Sequence, residues 1–78
     1  MDLRGILARV EERYHVKLPR AVLAVDYGDR GDLYLRFKHV NKPIGEPNED
    51  GLVVFFYEGS SSPIVAVEVL DLAELMQK

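Results

Sequence analysis

The chain has 78 residues, a formal charge of −3, 47% hydrophobic residues, no Cys and no Trp. Its length excludes two domains of ordinary size, and its apolar content at low net charge excludes a disordered chain. Without Cys there is neither a disulfide scaffold nor a Cys-based zinc site. No stretch nears the roughly 18 consecutive apolar residues of a membrane span, and no charged leader precedes a long apolar core, so a single cytoplasmic domain is expected.

Leu3, Ile6, Leu7, Val10 and Tyr14 recur at steps of three and four, which puts them on one stripe of a helix running from Asp2 to about Lys17. Arg4, Arg9, Glu11, Glu12 and Arg13 fill its solvated side. Leu18-Pro19 is the expected stop, because the residue before proline is pushed out of the α region. The N-terminal helix therefore occupies residues 1–18.

A β-meander of four strands is expected over residues 21–70. The apolar run Ala21 to Tyr27 reads as its first strand, and Gly28-Asp29-Arg30-Gly31 reads as a hairpin turn in which both glycines are able to take positive φ. From Asp32 to Lys38 the chain alternates, with Leu33, Leu35 and Phe37 on one side and Tyr34, Arg36 and Lys38 on the other. His39 to Asp50 has loop composition, with Pro43, Gly45, Pro47 and Asn48. Gly51 to Glu58 is apolar on both parities, the mark of a strand buried on two sides. Gly59 to Pro63 makes the next turn, and Ile64 to Leu70 is apolar except for Glu68. Asp71, with Glu74 three residues on, caps a short helix over residues 71–77 whose apolar stripe is Leu72, Leu75 and Met76. Short links favour antiparallel neighbours in sequential order. The fold class expected is α+β: an N-terminal helix, a four-stranded antiparallel meander sheet and a short C-terminal helix, in two layers.

The run Asp32-Leu33-Tyr34-Leu35-Arg36-Phe37, preceded by Asp26-Tyr27, resembles the second strand of a small uncharacterised family, the domain of unknown function 2283. The likeness continues through Glu49-Asp50-Gly51-Leu52-Val53-Val54, the glycine turn, and Ile64-Val65-Ala66-Val67-Glu68-Val69-Leu70-Asp71, covering about Val25 to Asp71. The resemblance implies a meander followed by a short helix, with no established enzymatic activity. It also implies an antitoxin-like partner role, since genes of that family often lie beside small toxin-like genes. The N-terminal helix is an addition to the usual pattern.

Positions matching Phe55 and Tyr57 are commonly acidic or polar in that family, which marks their parity as the outward face. With strands in sequential order, they would share that face with Tyr34, Arg36, Ala66 and Glu68. Aromatics and Arg are what interface cores favour, so Tyr34, Arg36, Phe55, Tyr57 and Glu68 are the candidate partner-binding residues. The competing reading is that the C-terminal helix folds over the patch and makes it core.

The sequence offers no catalytic residue, cofactor site or metal site. His15 and His39 stand far apart, on the helix and at a strand end. Asp26, Asp29 and Asp32 are spaced by three, unlike the alternate ligands of an EF-hand, and read as turn formers. Ser60, Ser61 and Ser62 lack a nucleophile elbow, and no phosphate-binding glycine motif is present. Glu58 and Glu68 flank the last hairpin as the germ of an acid–base pair.

Charge divides along the chain: +2 over residues 1–20, +1 over 21–42 and −6 over 43–78. Arg4, Arg9, Arg13, Lys17 and Arg20 make a basic stripe open to two readings, contact with phosphates or complementing the acidic half, and overall acidity argues against nucleic acid. A chain this small buries a limited share of its surface, and a one-sided sheet cannot hide this much apolar side chain. The reading reached is a non-enzymatic protein-interaction module, homodimeric or bound to a small protein. The alternatives are a small-ligand or metal-binding protein with a site at a subunit junction, and a weak nucleic-acid binder.

Overall fold

The structure, a computed structural model, describes residues 2–59 and 63–77. Helix α1 spans Leu3–Tyr14 and buries Ile6, Leu7 and Val10, with Leu3 and Tyr14 packed at the margin of the core. It ends before Leu18-Pro19. His15 turns into the left-handed region (φ 56°, ψ 47°), and the amides of His15 and Val16 both donate to the Glu11 carbonyl. The stop is thus a left-handed C-cap, which closes a helix by satisfying its last carbonyls, and the proline falls in the irregular link that follows.

Five strands follow: β1 (Ala24–Tyr27), β2 (Leu33–Arg36), β3 (Ile44–Pro47), β4 (Val53–Tyr57) and β5 (Ile64–Val69). β3 occupies part of what reads as a loop in the sequence. Its residues are all exposed, and as an edge strand it tolerates Pro47, whose missing amide a central strand would need. In the β1–β2 turn, Gly31 alone of the two glycines has positive φ.

All pairings are antiparallel, and the strand order is β1-β2-β5-β4-β3. This corrects the sequential meander: β5 inserts between two hairpins and becomes the central strand. The β2–β3 link starts by anchoring to β5, because the amides of Phe37 and Lys38 both donate to the Val65 carbonyl. There the β4–β5 register slips, with Phe56 opposite Ala66 but Tyr57 opposite Ile64, so Val65 is the extra residue of a bulge. The β4–β5 connection read at Gly59–Pro63 has Ser60, Ser61 and Ser62 outside the described residues.

Helix α2 (Leu72–Met76) begins as the sequence predicts, the Asp71 side chain accepting from the Glu74 amide at 3.1 Å. Of its stripe, Leu75 is fully buried, Leu72 is half-buried and Met76 is exposed. The Arg9 Nε donates to the Leu75 carbonyl at 3.1 Å, tying α2 to α1. Both helices therefore lie on one face of the sheet, over Leu33, Leu35, Phe37, Val53, Phe55, Val67 and Val69. The α+β class and two-layer arrangement hold, with five strands in place of four.

Candidate functional site

The register sorts the other face. Directly opposite residues of antiparallel strands share a side, so one row across the sheet is Ala24, Arg36, Ala66, Phe56 and Gly45, and the next is Asp26, Tyr34, Glu68, Val54 and Pro47. Neither helix covers this outer face. Tyr34, Arg36 and Glu68 stand on it as the sequence places them. Phe55 and Tyr57 do not. Phe55 is 5% exposed and meets the Tyr14 ring of α1 edge-on, with centroids 5.7 Å apart at 87°; Tyr57 packs half-buried against the same core. The aromatic of β4 that faces outward is Phe56. The parity inferred from the family comparison is off by one, and the element over Phe55 is the N-terminal helix.

Tyr34 and Phe56 form an edge-to-face pair, 5.6 Å between centroids at 77°. Beside them lie Val54 and Ala66. Across β3, Gly45 gives Phe56 its room: a Cβ there would sit 2.8 Å from the Phe56 Cε2 atom. Glycine is required at such a close approach.

Three charged residues stand in these rows, Asp26 on the exposed edge strand β1, Arg36 on β2 and Glu68 on β5. Among the described residues, Arg36 and Glu68 join no ion pair or side-chain hydrogen bond. The Arg36 Nε is withdrawn from solvent with no acceptor in reach. A buried N–H left unsatisfied costs about 1–3 kcal/mol, more when charged.

Other candidate groups are committed elsewhere. Glu58 pairs with Lys38 at 2.8 Å, at the end of β4 remote from Val54, the residue opposite Glu68, so the two carboxylates do not form an acid–base pair. His15 caps α1 and is exposed, as is His39. Among the described residues, no three His, Asp or Glu side chains gather as a metal site. A groove of about 440 Å³ between the β1–β2 turn and α2 brings Asp32 and Asp71 together with Tyr27, Leu72 and Met76, but Asp71 is already engaged in capping.

Much of the basic stripe pairs with its own chain: Arg13 with Asp50 at 3.3 Å, Arg20 with Glu11 at 2.8 Å and Arg9 with Glu12 at 3.9 Å. Glu11 thus serves the α1–β1 link, a role its place on a solvated helix face gives no sign of. Tyr14 donates to Asp50 at 2.8 Å, and burial, then that bond, push its phenol up to about 12. Burial raises the Asp50 carboxyl, yet hydrogen bonds from the Leu52 amide, Tyr14 and Arg13 outweigh it and hold the group below its ordinary 3.8.

Among the described residues no helix is long and apolar enough to cross a membrane. No family model matches the chain, nor does any curated protein or solved structure.

Proposed function

We propose that this chain is a non-enzymatic protein-interaction module that works as a homodimer through its outer sheet face. One observation carries the reading. The face with Tyr34, Val54 and Phe56 has no covering element, and the half-buried Arg36 on it joins no ion pair. Aromatics and arginine at the centre of a face are the composition of interface cores. The antitoxin-like role drawn from the family resemblance belongs to the same reading, with the dimer as the unit that meets a small toxin.

Light scattering after gel filtration tests it. The chain is expected to run at twice its 8.9 kDa mass, and Phe56→Asp at the single mass with its circular dichroism unchanged. A chain that stays at the single mass at every concentration removes the proposal.

A further inference from the structure

The outer face carries both signs of charge in positions that suit a copy of itself, and this extends the homodimer reading on which it rests. Arg36 lies on β2 and Glu68 on β5, in adjacent rows and adjacent strands, hence diagonal to one another. Within one chain the pair is not made: Arg36 stands opposite Ala66, Glu68 opposite Tyr34 and Val54, and no ion pair joins them. Each is half-buried, so each bears some loss of hydration without a compensating partner.

A two-fold interface is isologous: where residue i meets residue j, j meets i. We infer that two copies pack outer face to outer face about a two-fold axis passing between Arg36 and Glu68, so that the guanidinium of Arg36 donates to the partner's Glu68 and the reverse contact repeats it. One operation makes two ion pairs and gives Arg36 and Glu68 of each copy a partner. Tyr34 and Phe56, whose rings meet across β5 between the two charged residues, lie at that axis. The aromatic pair supplies apolar area, and the crossed ion pairs fix the orientation, the role charge complementarity plays at interfaces.

Charge reversal tests the pairing. Sedimentation equilibrium on Arg36→Glu and on Glu68→Arg should each show dimer dissociation at least tenfold easier than for the unaltered chain. The double variant Arg36→Glu/Glu68→Arg should return to within a few-fold of it, because the swapped charges meet again across the axis. Should circular dichroism show that a reversal unfolds the chain, Arg36→Gln and Glu68→Gln are read for the same weakening. A dimer broken by Phe56→Asp but indifferent to both reversals overturns this pairing and leaves the face reading intact. A double variant no tighter than the weaker single also overturns it. A chain monomeric at every concentration overturns both.

Discussion

Tyr34 and Phe56 meet edge to face although their strands are not neighbours, for β5 runs between β2 and β4. On this side β5 presents Ala66, which is 1% exposed even though no helix lies over it. The two rings close over the alanine, and a small side chain there is what lets them meet. Ala66→Leu inserts three carbons into that contact. Overpacking of this kind costs typically about 1–3 kcal/mol. A urea titration should show the loss together with a changed near-ultraviolet dichroism from the parted rings. A leucine accommodated at no cost would mean the rings are not in contact.

Phe55 and Phe56 are consecutive and serve opposite faces. Phe55→Ala empties the space beneath Tyr14 of α1, and a buried Phe→Ala costs about 3–5 kcal/mol. A domain below about 70–80 residues holds only about 3–5 kcal/mol in its core, so Phe55→Ala is expected to leave the chain largely unfolded at room temperature. Phe56→Ala is expected to fold and to lose association. Thermal melts of the two variants side by side decide which parity faces the helix. The reverse ranking would contradict the register of β4 on β5.

These two phenylalanines also mark where the sequence stops being legible. Strand β2 alternates apolar and polar residues, so its faces are readable: Leu33 and Leu35 are buried, while Tyr34 and Arg36 lie outside. Strand β4 is apolar at every position, so period two carries no information about which parity is inside, and only its pairing with β5 decides. The α2 cap is local chemistry, Asp71 to Glu74, and is read directly. Strand order depends on contacts distant in sequence, and nothing in Ile64–Val69 says that its neighbours are β2 and β4. Strand β3 is hidden because an exposed edge strand has no buried row to impose a pattern, and Gly45 and Pro47 carry loop composition into it. Of the five candidate partner residues, the three outside β4 stand on the outer face.

At the end of α1, His15 adopts φ 56° with its Cβ in the unfavourable left-handed region. For an L-residue that conformation costs roughly 1–2 kcal/mol, and glycine escapes it. His15 is exposed, so its imidazole adds little packing to lose. His15→Gly is expected to stabilise the chain by about 1 kcal/mol, which for a domain of this size raises Tm by roughly 4–8 °C. His15→Ala retains a Cβ and should give no gain. Equal melting temperatures for the glycine and alanine variants would show that the cap is not strained.

The acid limb of stability should be set in part by Glu11. Its carboxylate accepts two hydrogen bonds from Arg20, at 2.8 and 3.1 Å, and one from the Leu18 amide at 2.7 Å. The Arg20 bonds first, and the Leu18 amide second, hold its carboxyl below the ordinary value of 4.5. A depressed folded-state value means that the ionised form is the one folding favours. Its contribution is therefore complete above 4.5 and drains away as pH falls through the lower folded value. Tyr14 works with the opposite sign: its phenol, raised to about 12, contributes in full below its ordinary value of 10 and loses that contribution as pH rises from there. Glu11→Gln separates the two limbs. The amide oxygen can still accept from Leu18, but the ion pair with Arg20 is gone. Denaturant titrations across pH should then show a shallower fall on the acid side and an unchanged alkaline side. Because Arg20 is largely exposed, added salt should shrink the acid-side difference between variant and parent. If Glu11→Gln followed the parent throughout the acid range, the α1–β1 link would be held by Leu18 burial and the helix cap alone, and the carboxylate would be dispensable.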